Sequence, residues 1–174
     1  MSEYAVMEGV STVRISRLMP GPIDLVWEYL TDSKKRATWF ASGPMDLRIG
    51  GRVELVFHNA ELSPHKEEVP EKFKQYEGWS SGGEITQLDP PRLLAFNWRD
   101  PMSETEVVFE LSPRGADTLL VITHRDLKKR EDIVGVAGGW HIHLDILEDN
   151  LRGVTPRPFW STHEKYEKEY EQRL

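Results

Sequence analysis

The amino-acid sequence predicts an α+β domain in which a curved antiparallel sheet of six to seven strands wraps around one long C-terminal helix. Three observations support this prediction: apolar runs that alternate with period two, short turn-forming links between those runs, and one late segment with helical periodicity. Because the links are too short to contain crossover helices, consecutive strands are expected to pair antiparallel.

The first part of the chain predicts one strand followed by two short helices. Residues 10–19 alternate in polarity and end at Pro20-Gly21-Pro22, which is typical of a strand that stops at a tight break. Apolar residues at helical spacing over 23–30 predict a short helix, and Asp32 is placed to cap a second one. The run Lys34-Lys35-Arg36 is interpreted as a solvated face.

The middle of the chain predicts the sheet. Residues 45–58 alternate on both sides of Gly50-Gly51 and predict a hairpin, whereas residues 61–78 are polar, contain prolines and predict a surface excursion that is a candidate lid. Turn sequences then separate four further strand-like runs, at 83–88, 92–98, 103–111 and 118–124.

The last third predicts the long helix. Six apolar residues spaced by four, three, four, three and four define one helical face: Ile133, Ala137, Trp140, Leu144, Leu147 and Leu151. Gly153 and Pro156 are expected to end this helix. The charged segment 161–174 predicts a solvated helix or a frayed tail. We therefore divide the chain into one domain at 10–153 and a C-terminal charged helical tail at 154–174.

Composition narrows the class of protein. A chain of 174 residues fits one core, and 22 Lys and Arg against 29 Asp and Glu give a net charge of -7, which disfavours a nucleic-acid partner. There is no cysteine, which excludes disulfides, thiolate metal ligands and a cysteine nucleophile. Neither a secretion signal at residues 1–8 nor an apolar stretch long enough for a membrane span is recognisable, so we predict a cytoplasmic protein.

A group of aromatic and apolar side chains is expected to converge between the sheet and the long helix. Strand alternation and helical spacing place ten candidate ligand-binding residues there: Trp39, Phe57, Phe96, Trp98, Phe109, His124, Trp140, His143, Leu144 and Leu147. Small-molecule pockets are mostly apolar with a few placed polar groups, as in this set, and a packed core is the alternative interpretation.

The sequence predicts no catalytic or metal-binding constellation. No nucleophile paired with a base is evident. His141 and His143 are two apart and project about 200° from each other on a helix, so they do not form a metal clip. Neither a metal nor a cofactor is expected, and the catalytic residues, if there are any, are not identified.

Several local motifs, in order along nearly the whole chain, resemble a known family. They include the break at Pro20-Gly21-Pro22 before Val26-Trp27, then Trp39-Phe40, the segment 46–51, and Asp89-Pro90-Pro91-Arg92-Leu93. The chain resembles the START-like (SRPBCC) superfamily that includes the major birch pollen allergen, and within it the family related to the activator of heat shock protein 90 ATPase. This resemblance implies the helix-grip fold.

Three functions follow as hypotheses. The first is binding of a small hydrophobic or aromatic ligand, such as a lipid or a polyketide-like metabolite, in an internal cavity. The second is an enzyme of the cyclase, aromatase or hydrolase kind that uses His124 and His143, with Arg14 or Arg17 if the first strand turns them inward. The third, implied by the family name alone, is a chaperone ATPase-activating partner. A homodimer formed through an exposed strand edge is a further alternative.

Overall fold

In the computed structural model, which describes residues 2–174, seven strands and five α-helices follow one another along the chain. The strands are β1 (Val6–Glu8), β2 (Thr12–Met19), β3 (Arg52–Val56), β4 (Ser80–Asp89), β5 (Leu93–Asp100), β6 (Ser103–Arg114) and β7 (Asp117–Arg125). The helices are α1 (Ile23–Thr31), α2 (Ser33–Arg36), α3 (Glu71–Lys74), α4 (Arg130–Leu151) and α5 (Phe159–Arg173), with a 3-10 turn at Asn59–Glu61.

The strands form one antiparallel sheet in the order β1-β2-β7-β6-β5-β4-β3. Strands β3 to β7 are neighbours in chain order, and β2 closes the sheet by pairing with β7, with Ile15 opposite Ile122. The long helix α4 packs against this sheet and contacts β2. The predicted fold class, a curved antiparallel sheet with a long C-terminal helix, is therefore confirmed.

The predicted hairpin around Gly50-Gly51 is only half correct. Its second strand is β3, but the residues before the turn form isolated bridges, Ser42 with Val56 and Met45 with Val53, instead of a strand. The carbonyl of Pro44 accepts from the amide of Glu54 at 3.0 Å. Because proline has no amide hydrogen to donate, this segment covers the outer edge of β3 without continuing the ladder.

The charged segment at the C-terminus is a packed helix, which corrects the prediction of a solvated or frayed piece. Helix α5 lies along α4 and buries one face, formed by Phe159, Trp160, His163, Tyr166 and Tyr170. Its charged residues occupy the other face. Helix α4 is consequently covered by the sheet on one side and by α5 on another, which explains why twelve of its residues are buried.

A buried ion pair connects β2 with both helices. Asp145 on α4 accepts from Arg17 Nη1 at 2.6 Å and from the Tyr166 hydroxyl at 2.5 Å. Arg157, just before α5, approaches the same carboxylate at 3.0 Å. Arg17 thus does face inward, as one hypothesis required, but its charge is paired with Asp145.

Among residues 2–174, no helix is long and apolar enough to cross a membrane.

Candidate functional site

The space between the sheet and α4 is occupied by a cluster of aromatic rings centred on Phe40. The Phe40 ring stacks on Trp140 with centroids 4.9 Å apart, and it meets Phe57 at 5.1 Å, His143 at 5.2 Å and Trp98 at 5.9 Å. We refer to Phe40 and the rings linked to it as the aromatic cluster. It contains all eight aromatic candidates: Trp39, Phe57, Phe96, Trp98, Phe109, His124, Trp140 and His143.

Phe40 itself was missed by the sequence analysis. It lies in the irregular segment after α2, where neither strand alternation nor helical spacing indicates which way a side chain points. The motif Trp39-Phe40 was the one available signal. The other two candidates, Leu144 and Leu147, are fully buried on α4 within the same core.

Trp98 lies between two parallel rings. Phe57 is 5.7 Å away at an interplanar angle of 1°, and His124 is 5.8 Å away at 18°. The indole nitrogen of Trp98 donates to Ser81 Oγ at 2.9 Å. Trp98 and Phe57 are only partly buried, so this end of the aromatic cluster is the one closest to solvent.

His124 has both ring nitrogens engaged. Trp140 Nε1, which can only donate, lies 3.1 Å from Nδ1, so Nδ1 must carry the lone pair and Nε2 the proton. Nε2 then donates to Thr105 Oγ1 at 2.9 Å. Burial lowers the pKa of His124 to about 3, which keeps the ring neutral near pH 7. While these bonds hold, His124 has no free nitrogen to act as a base, which weakens the enzyme hypothesis.

His143 connects α4 to the segment that carries Phe40. Its Nδ1 donates to the Trp39 carbonyl at 2.7 Å, and the Trp39 indole donates in turn to the Tyr29 carbonyl at 2.8 Å. Burial lowers the pKa of His143 to about 4. Among residues 2–174, no group hydrogen-bonds Nε2 of His143, so an enzyme hypothesis based on these histidines would depend on His143 alone.

Arg36 also holds the segment that carries Phe40, and it is buried, which corrects the prediction that it belongs to a solvated charge run. Its side chain is 2% exposed and donates to four carbonyls, those of Leu30, Thr31, Ala41 and Gly43. Desolvation lowers its pKa to about 10, so the guanidinium remains charged near pH 7. Arg36 and His143 therefore hold the backbone on both sides of Phe40, whose side chain is itself buried among the rings.

The aromatic cluster leaves little free space. A cavity of about 10 Å³, room for at most one water molecule, lies among nine residues: Leu30, Arg36, Trp39, Phe40, Met45, Leu55, Leu94, Phe96 and Phe109. The candidate residues are brought together as the sequence indicated, but their own side chains fill the interior.

His141, also on α4, lies outside the aromatic cluster and faces α5. Its ring stacks on Tyr166 at 3.8 Å, and its Nδ1 lies 2.9 Å from the Tyr170 hydroxyl. His141 and His143 thus point to different sides of the helix, as their spacing predicts. No group of three or more His, Asp or Glu side chains that could hold a metal ion is present among residues 2–174.

Comparison with known proteins identifies one family and several similar structures. A family model described as activator of Hsp90 ATPase homolog 1-like protein matches residues 20–152. A protein encoded by gene BPP1335 from Bordetella parapertussis is 39% identical, with a TM-score of 0.80 over 99% of this chain and 93% of that chain. CalU16 from Micromonospora echinospora is 26% identical, with a TM-score of 0.69 over 92% and 86% of the two chains. No curated protein matches.

Proposed function

Because the chain belongs to the family of activator of Hsp90 ATPase homolog 1-like proteins, whose fold is a ligand-binding fold in general, we propose that it binds a small aromatic molecule between the sheet and α4. The observation that carries the proposal is the aromatic cluster. Rings from β5, β6, β7, α4 and two loops meet there, and Phe40 at its centre contacts rings on several sides.

The chemistry of the aromatic cluster favours a planar, uncharged guest. Trp98, Trp140 and His124 have their polar atoms bonded to protein partners, so they present ring faces and edges. Burying an aromatic molecule there would gain about 25 cal/mol per Å² of apolar surface. A linear lipid would lose the stacking part of this interaction, so we place an aromatic, polyketide-like compound ahead of a lipid.

Space for the ligand comes from displacement of the Phe40 ring. A ring of similar size and shape can take its place against Trp140, while Arg36 and His143 keep the backbone of the segment in position. Exposing a buried Phe side chain costs about 1.5–3 kcal/mol. The displaced state is therefore a minor one, and the apparent affinity of the wild-type protein is reduced in proportion to its population.

Replacing Phe40 by alanine is expected to create the binding site permanently. The Phe40→Ala variant should bind 1-naphthol at least tenfold more tightly than the wild type, because the ligand no longer has to displace the ring. Dissociation constants from isothermal titration calorimetry, and the increase in melting temperature at saturating 1-naphthol, are the measurements. 1-Decanol, tested alongside, should bind more weakly than 1-naphthol to both proteins.

A matched control separates a specific site from general loosening of the core. Leu127→Ala also removes a buried apolar side chain, but from the link between β7 and α4, outside the aromatic cluster. It should leave the affinity for 1-naphthol at the wild-type level. If Phe40→Ala and the wild type both show neither heat of binding nor a thermal shift, the proposed function is wrong.

A further inference from the structure

The segment between β3 and β4 is closed at its base by hydrogen bonds between its two ends, and its middle part contacts α5. At its base, the amide of Phe57 donates to the Trp79 carbonyl at 3.1 Å, and the amide of Gly78 donates to the Phe57 carbonyl at 2.7 Å. Gly78 has a φ of +75°, which favours glycine where the chain turns back. We refer to residues 58–78 as the lid segment. It links the sheet to α5 next to the partly exposed end of the aromatic cluster.

A carboxylate of the lid segment caps helix α5. Glu67 Oε2 accepts from the amide of Trp160 at 2.8 Å, and Oε1 accepts from the amide of Ser161 at 3.0 Å. The residue at the usual capping position, Pro158, makes no side-chain cap. The first amides of a helix lack partners within the helix and carry positive partial charge, so a carboxylate 93 residues away in the chain supplies what the local sequence does not.

The environment of Glu67 favours its ionised form. Burial by itself would raise its pKa, but hydrogen bonds from the Ser161 side chain and from the amides of Trp160 and Ser161 outweigh it and hold the pKa below its usual value. This carboxylate is therefore charged near pH 7, and its contact with the helix terminus is a charge-assisted one.

Two further contacts hold the lid segment on α5. The Phe73 ring stacks on Trp160 with centroids 5.2 Å apart, and Lys72 Nζ lies 2.8 Å from Glu167 Oε2. Trp160 also contacts Phe159 at 4.9 Å, and Phe159 contacts His143 at 5.3 Å. The closed lid segment is thus connected, ring by ring, to the aromatic cluster.

The closed arrangement leaves two buried polar atoms unsatisfied. Among residues 2–174, neither the Asn59 Oδ1 atom of the lid segment nor the indole nitrogen of Trp160, a residue that is 5% exposed, has a hydrogen-bond partner. An unsatisfied buried donor opposes the closed state, and lifting the segment would return it to water. The contacts that Glu67, Lys72 and Phe73 make with α5 therefore hold the segment closed against the cost of these unsatisfied atoms.

We propose that residues 58–78 form a lid through which the ligand reaches the aromatic cluster, and that the bond of Glu67 to the first amides of α5 is its latch. This inference rests on the proposed function for the identity of the cargo, whereas the latch itself is defined by Glu67, Trp160 and Ser161 alone. Opening would uncover the Phe159 and Trp160 side of the interior without disturbing any strand pairing.

The test compares two charge-neutralising variants within the lid segment. Glu67→Gln keeps the shape of the side chain but removes the charge that binds the helix terminus. Glu71→Gln is the matched control, because the Glu71 side chain is 87% exposed and its ion pair is with Lys74 in the same segment. Hydrogen exchange of the Trp160 and Ser161 amides reports opening, and stopped-flow mixing with 1-naphthol reports entry.

Glu67→Gln is expected to speed exchange of the two amides and association of 1-naphthol by about tenfold each, equivalent to about 1.4 kcal/mol of capping energy. Glu71→Gln should change neither. Equal exchange in the two variants would overturn the latch, and faster exchange with an unchanged association rate would overturn the lid as the route of entry. Complete absence of 1-naphthol binding would count against the proposed function, while the exchange result would still decide on the latch.

Discussion

Acidification from pH 6.5 to about pH 4 is expected to reduce the free energy of unfolding steeply and to unfold the protein. His124, His141 and His143 are neutral in the fold, and desolvation lowers their pKa values to about 3, 4 and 4. In the unfolded chain these rings bind protons near pH 6.5. Between the two values the unfolded state binds more protons than the folded one, so stability is complete above pH 6.5 and is lost as the pH falls.

The size of the effect follows from the number of histidines. Each histidine that stays neutral in the fold contributes a slope of up to about 1.4 kcal/mol per pH unit, so these three give up to about 4 kcal/mol per pH unit. Burial also lowers the pKa of His163, which adds to the slope in the same direction. The measurement is urea unfolding at pH 7, 6 and 5, followed by circular dichroism. Small domains have about 5–15 kcal/mol of stability in total, so a loss of this size is large.

Two variants identify the groups responsible. His143→Gln keeps an N–H that can donate to the Trp39 carbonyl but does not titrate, so it should remove about a quarter to a third of the slope. His65→Gln, at an exposed position, should leave the slope unchanged. A stability that stays flat between pH 6.5 and pH 5 in the wild type would show that the histidines are not held neutral.

The second large effect is expected from removal of the buried carboxylate on α4. Asp145→Ala should lower the free energy of unfolding by about 3–5 kcal/mol, because it leaves the Arg17 guanidinium buried without its closest counter-charge. The side chains of Arg17 and Asp145 are only 5% and 3% exposed, and the next carboxylate, Glu148, lies 3.5 Å from Arg17. The Tyr166 hydroxyl loses its acceptor as well. Urea unfolding at pH 7.5 measures the loss.

The chain contains a control with the same chemistry and a different environment. Arg48 and Asp46 also approach to 2.6 Å, but their side chains are 70% and 50% exposed. Water can replace either partner there, so Asp46→Ala should change the stability by less than about 1 kcal/mol. Similar losses in the two variants would mean that burial adds little to the Arg17–Asp145 pair.

The sequence was sufficient for elements whose periodicity is set by local geometry. Runs predicted at 92–98, 103–111 and 118–124 correspond to β5, β6 and β7, and the six-residue apolar face corresponds to α4. Side chains alternate in any strand and recur every 3.6 residues in any helix, so these patterns do not depend on the rest of the chain. For the same reason, alternation placed Phe96, Phe109 and His124 on the buried face.

Features that depend on contacts between residues far apart in the sequence could not be predicted from local patterns. Arg36 looks like part of a solvated run, and α5 looks like a charged tail, because burial of a charged residue is decided by what packs over it. Glu67 caps a helix that begins 92 residues later in the chain, and Asp145 pairs with Arg17, which is 128 residues away in sequence. No local pattern encodes such pairings.

By itself, the sequence determined the order of β2, β4 to β7 and α4, the buried faces of β5 to β7 and of α4, and eight of the aromatic residues that meet under α4. Only the tertiary structure decided how much room those residues leave. Phe40, on a segment without periodicity, occupies the middle of the cluster, and the remaining cavity measures about 10 Å³. Free volume is a small difference between the space enclosed by the sheet and helices and the summed volume of the side chains within it, so it is fixed only when all of them are packed together.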